Sequence, residues 1–174
     1  MIMSPGLRKL VLAVHLTLSV GWIGAIGAYL ALDFASATGE EGQMLRTAYL
    51  GMDLIARYVI VPLALASLAT GLIVSLGTKW GLFRHYWVLI SLLLTTLATI
   101  VLLVETRTIA FHAGIAADPS TSTERLRALP STLPHSVGGA LVLIVVLVLN
   151  IYKPRGMTRY GQRMERERRT AGVP

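Results

Sequence analysis

The chain has 174 residues, of which 54% fall in the hydrophobic set and only 14% are charged, against roughly 25% charged in an ordinary soluble domain. Much of its surface is therefore not meant for water, and its length suits one domain. With no cysteine at all, disulfides, thiolate metal sites and cysteine nucleophiles are excluded.

Four long stretches lack Asp, Glu, Lys and Arg: Leu10–Leu32, Tyr58–Thr78, His85–Val104 and Ala128–Tyr152. Each reaches the about 20 apolar residues a helix needs to cross the hydrocarbon core. Pro130 and Pro134 move the start of the fourth to about Leu133. Spanning strands would be about 9–11 residues long and alternate in polarity, whereas helices satisfy their own backbone within lipid. The expectation is an all-α bundle of four transmembrane helices at about 8–32, 56–77, 86–110 and 133–152, forming a domain over 1–156. A basic tail, 157–174, follows. Arg8 and Lys9 look like the start of a signal peptide, but the apolar run behind them exceeds the usual 7–15 residues, so the first segment is expected to stay as a span.

Orientation follows from Lys and Arg near the segment ends. Arg8, Lys9, Lys79, Arg84, Lys153, Arg155, Arg159, Arg163, Arg166, Arg168 and Arg169 fall on one side, and Arg46, Arg57, Arg107, Arg125 and Arg127 on the other. Eleven against five predicts that both termini are cytoplasmic (N-in/C-in). The net charge of +7 is thus a topology signal and not a nucleic-acid footprint. The Arg-rich tail also suits anionic lipid headgroups.

Between the spans, Asp33–Arg57 reads as an outer loop with a short helix near Met44–Leu50. The loop Gly77–Arg84 is short enough to make helices two and three antiparallel neighbours. In Glu105–Ser131, Asp118–Pro119 stops one helix, and the Ser/Thr run after it offers an N-cap for Glu124–Leu129. Thr17, Gly21, Gly24 and Ala28 on helix one, Ser67, Gly71 and Ser75 on helix two, and Gly138 and Gly139 on helix four mark packing faces, since small residues let helices approach in lipid. Such faces also suit a second copy or another membrane partner. Pro62 is expected to kink helix two.

Four histidines could carry chemistry. His15 lies within the first span, where an ionisable residue is a functional-site hypothesis by default. A b-type haem between two imidazoles is one reading, because bundle cores hold cofactors and histidine is an axial ligand. Depth allows an inner pair, His15 with His85, or an outer pair, His112 with His135; His15 and His135 are roughly 20 Å apart by helix rise. The plain alternative is a neutral His15 bonded to Ser91, Thr95 or Asn150 of a neighbouring helix. Trp22, seven residues on, shares the His15 face and would pack inside the bundle or against a flat cofactor. On the outer side Asp33, Asp53, Glu105, His112 and His135 form a polar ring with Arg57 and Arg107. Asp53, Glu105, His112 and His135 are a carboxylate–imidazole set for a divalent metal, or simply ion pairs capping the bundle. Trp80, Tyr86 and Trp87 read as interfacial anchors. No nucleophile triad, phosphate loop or dinucleotide fingerprint occurs.

His15, Trp22 and Gly24 give H-x6-W-x-G, and Lys153-Pro154-Arg155-Gly156-Met157-Thr158-Arg159-Tyr160-Gly161 gives K-P-x-G-x-T-x-Y-G. Together they resemble a family of bacterial integral membrane proteins of unknown function. The first motif also resembles the copper-resistance D type membrane domain. The resemblance implies a multi-pass protein of the bacterial inner membrane, while the missing cysteine departs from copper handling. Three classes stay open: a haem-binding or redox membrane protein, a metal- or small-solute-handling protein, and a non-catalytic membrane subunit.

Overall fold

A computed structural model describes residues 3–78, 81–170 and 172, with the Arg168 side chain undescribed. Lys79 and Trp80, counted above for topology and anchoring, lie outside the described residues, as do Val173 and Pro174. The described residues are helical with no strands, and four helices are long and apolar enough to cross a membrane. They are α1 (Pro5–Thr38), α2 (Gly42–Gly77), α3 (Tyr86–Ala117) and α5 (Leu133–Tyr152). Two short helices join them, α4 (Thr123–Arg127) and α6 (Arg159–Thr170).

Helix contacts run α1 to α2, α2 to α3, α3 to α5 and α5 to α1, so the spans form a ring in chain order with α1 facing α3 across it. The start of α1 and α6 lie at one end, called here the terminal end; the α1–α2 turn and α4 lie at the distal end.

Only α5 has the expected bounds. Pro134 lies in its first turn, where the missing N–H costs nothing, and Lys153 ends it in a left-handed conformation at φ 45°. The other three run past the limits drawn from charge. With 34, 36 and 32 residues, they are each about 50 Å long at 1.5 Å per residue, well beyond the about 30 Å core. Charged residues did not end them, because a helix leaving the hydrocarbon keeps its backbone bonds while its side chains reach water or partners. The segment read as a loop with a helix near Met44–Leu50 is instead the first half of α2. Glu105, Arg107 and His112 lie inside α3. The projecting ends build a distal cap whose core includes Leu45, Met52 and Leu126, all fully buried.

Pro62 leaves a mark of another kind. Ala56–Ile60 forms a π-helical turn in which the Val61 N–H reaches the Ala56 carbonyl, five residues back. Pro62 has no N–H for the Tyr58 carbonyl, and the wide turn stands just before that gap. The α4 N-cap is as expected, with Ser122 Oγ accepting from the Arg125 N–H at 3.3 Å. Arg46 spans the cap to the end of α3, donating to the Ala116 carbonyl at 2.7 Å and Asp118 at 2.5 Å, and also to Pro119 and Thr121. A guanidinium there satisfies orphan carbonyls and the negative helix end together.

At the terminal end the tail is not a separate piece. After Lys153 reverses the chain, the Tyr86 N–H donates to the Gly156 carbonyl at 3.3 Å, Met157 bridges His85, and the Thr158 N–H donates to Arg84 at 3.0 Å. The Thr158 hydroxyl donates to Phe83 O at 2.5 Å and accepts from the Gly161 N–H at 3.0 Å, capping α6. A side chain at Gly161 would collide with the Arg84 carbonyl. K-P-x-G-x-T-x-Y-G is thus the clasp that docks the tail on the α2–α3 loop. Tyr86 is exposed as an anchor would be, but Trp87 is buried.

Candidate functional site

His15 sits in the α1–α2 seam. Its Nδ1 is 3.1 Å from the Thr70 hydroxyl, whose own hydrogen is used on the Ala66 carbonyl at 2.7 Å. Nδ1 therefore carries a proton and donates. The ring rests on Gly71, where an added Cβ would stand 3.1 Å from Cε1. One turn further along, the Ser19 and Ser67 hydroxyls bond at 2.8 Å.

The polar neighbour of His15 is thus Thr70 and not Ser91, Thr95, Asn150 or His85. Ser91 and Asn150 meet each other at 3.4 Å. His85 stands just before α3, bridged to Met157. A Cβ added at Gly21 would meet Leu63 at 3.6 Å, but one added at Gly24 would meet nothing within 4 Å. The Gly24 face is open, contrary to the packing role expected of it, because the seam turns on Gly71.

The outer set is also dispersed. Asp53 is paired with Arg57 at 3.2 Å. His112 is buried edge-on to Tyr49 with ring centres 5.7 Å apart, two turns, about 10 Å, beyond Glu105 along α3. His135 Nε2 is 3.6 Å from Glu105 Oε1. The outer histidine pair is therefore not formed, and among the described residues no three His, Asp or Glu groups gather to hold a metal. Only Glu105 and His135 of the four proposed ligands come together.

Asp33, read as the end of α1, has a more specific place. It is 1% exposed and accepts from the Thr132 hydroxyl at 2.8 Å and the Ser136 hydroxyl at 2.5 Å. The Tyr29 hydroxyl lies 3.5 Å from Thr132. The start of α5 is thus held between two carboxylates, Asp33 on α1 and Glu105 on α3. Its positive end favours both. Thr132 and Ser136 were not singled out in the sequence; the signal for Thr132 was a cap-type residue two positions before a proline.

Below this polar layer a cavity of about 270 Å³ runs between α1, α3 and α5, with Ile60 of α2 at its back. Trp22, Ile26 and Tyr29 line one side, Gly138 and Gly139 another. Neither glycine has any atom within 4 Å of an added Cβ, so these small residues leave room where close packing was expected. Leu97 and Val101 also line it, yet are 58% and 40% exposed, so the wall is thin along the α3–α5 seam. Glu105 and His135 stand at its distal mouth. Trp22 is 2% exposed, and among the described residues its indole N–H has no hydrogen-bond partner.

No family model, curated protein or solved structure matches this chain.

Proposed function

We propose that this multi-pass membrane protein binds a lipid-soluble small molecule, taken sideways from the bilayer through the α3–α5 seam. The cavity carries the reading: an apolar body, a thin wall toward lipid, and the Glu105–His135 pair at one mouth. Mostly apolar pockets with a few convergent polar groups are the usual form of small-molecule sites.

The test is to purify the protein in lipid nanodiscs and extract what travels with it. Mass spectrometry should find a lipophile enriched over the surrounding lipid and lost from Gly139→Leu, whose side chain would fill the cavity. An extract matching the surrounding lipid would sink the proposal. The same sample addresses haem: a Soret band with sharp α and β bands on reduction would make the occupant a haem.

The basic excess at the terminal end supports a cytoplasmic location for both termini, in a bacterial inner membrane by the family resemblance, with the α6 arginines toward anionic headgroups. A reporter active only outside should be silent after Pro174 and active near Gly39; the reverse would overturn the orientation.

A further inference from the structure

Taking the cavity as a ligand site, we infer that its occupant is a lipophilic amine, whose protonated head donates to the Glu105 carboxylate at the distal mouth while its apolar body fills the space below. The inference rests on that reading and narrows it by chemistry.

The accessible carboxylate is the first constraint. Among the described residues Glu105 is the one carboxylate in the cavity lining, and its side chain is 19% exposed. An occupant that fills the mouth takes water away from it. A carboxylate loses far more on desolvation than an uncharged group unless a cation pairs with it. A neutral head laid over Glu105 would leave that cost standing, whereas an ammonium replaces the water it displaces.

The balance of donors and acceptors is the second. The start of α5 borders the mouth, and a helix N-terminus ordinarily offers free amides to an anion. Here they are spent. The Leu133 N–H donates to the Ser131 hydroxyl at 3.3 Å, Pro134 has no N–H, and the His135 and Ser136 N–H groups donate to the Thr132 carbonyl at 3.0 and 3.1 Å. The Thr132 and Ser136 hydroxyls are turned to Asp33. The mouth therefore presents a carboxylate and few donors, and the matching head is one rich in donors. A primary ammonium has three.

Charge is the third. Among the described residues no Lys or Arg lines the cavity, and Asp33 adds a second carboxylate behind Thr132 and Ser136. Arg107 is exposed and lies about 200° around α3 from Glu105 by helix geometry; Arg57 is paired with Asp53. In the lining, His135 is the one candidate cation, charged only when protonated. Its Nε2 lies 3.6 Å from Glu105 and its side chain is 54% exposed. A carboxylate has about four acceptor positions, so this imidazole does not close Glu105 to a partner on the cavity side.

The experiment titrates the full chain in phosphatidylcholine nanodiscs, against empty discs, with three probes of one chain length: decylamine, decanol and decanesulfonate, followed by calorimetry. The wild type should bind decylamine about tenfold more tightly than decanol and should not bind decanesulfonate. Equal affinity for decanol, or binding of decanesulfonate as tight as that of decylamine, would overturn the cationic head. Glu105→Gln keeps the shape and removes the charge; it should bind decylamine five- to tenfold more weakly and decanol as the wild type does. Unchanged decylamine affinity would overturn the assignment to Glu105. If that variant does not fold, the three probes on the wild type decide by themselves. Gly139→Leu should bind none of them, and retained decylamine binding would overturn the placement in the cavity. A wild type that carries an extractable lipophile but ignores decylamine fails this inference alone. A wild type with neither fails the cavity reading as well.

Discussion

Along the α1–α2 seam, Gly71 lets an imidazole come close to the neighbouring helix, and hydroxyls on both helices close the space around it. Along the α3–α5 seam, Gly138 and Gly139 have nothing above them, and the helices part around a cavity. The same residue type, near opposite ends of the bundle, has opposite outcomes. The difference lies in the facing side chain: His15 reaches across and has a partner at Thr70, whereas α1 presents Trp22 and Tyr29 from the far side of the cavity. A glycine in a spanning helix thus signals missing bulk, and what fills the gap is decided by the opposite helix.

The sharpest way to break this contrast is to add bulk on each side. Gly71→Leu should force His15 off Thr70 and part α1 from α2, costing about 3 kcal/mol or more, read as a large fall in Tm in detergent. Gly139→Leu should leave Tm within a few degrees of wild type; equal losses in the two variants would show both seams to be closed. Asp33→Leu should come next. It removes the acceptor of the Thr132 hydroxyl, at about 1–3 kcal/mol, leaves Ser136 with only the Leu133 carbonyl, and loosens the start of α5, visible as faster amide exchange there.

A finer comparison uses one methyl group. At Gly71 an added Cβ meets the His15 ring at 3.1 Å, so Gly71→Ala should destabilise by about 1 kcal/mol. Gly139→Ala meets nothing and should gain up to about 1 kcal/mol from helix propensity. Opposite signs in thermal melts are the expected result. The smallest effect lies outside the membrane. The Ser120 hydroxyl and amide hold the Asp118 carboxyl below its usual range. A lowered folded-state pKa means the contribution is present above the unfolded value of about 3.9 and lost as pH falls through the folded value. Loop 118–121 should therefore keep its NMR shifts through neutral pH and change only in strong acid.

The number and order of the spans could be read from charge-free length, and the bounds of α5 from Pro134 and Lys153. The ends of α1, α2 and α3 could not, because Asp33, Arg46, Asp53 and Glu105 look like helix ends until their partners are known. Asp33 finds Thr132 and Ser136 about a hundred residues away, and no local pattern announces that pairing. The shared face of His15 and Trp22 was legible from their seven-residue spacing. Which helix His15 would meet was not, since periodicity gives a face but not its neighbour. The tail motif was conspicuous as a string, but its meaning as a clasp needed the loop it grips.

The π-helical turn before Pro62 has a consequence for how this gene tolerates change. The buried positions Leu45, Tyr49, Met52, Ala56, Ile60, Ala64, Ser67 and Ser75, with Gly71 among them under His15, make one stripe of eight turns in 30 positions. An unbroken α-helix would need only about 29 at 3.6 residues per turn. The wide turn absorbs the surplus residue and keeps both halves of α2 in phase. Loss of a single codon within Ala56–Ile60 would let the helix run regularly and leave the stripe in phase, since about 29 positions fill eight turns. Loss of a codon in the regular part beyond it would instead rotate everything that follows by about 100°, so the wide turn is where α2 best tolerates a deletion.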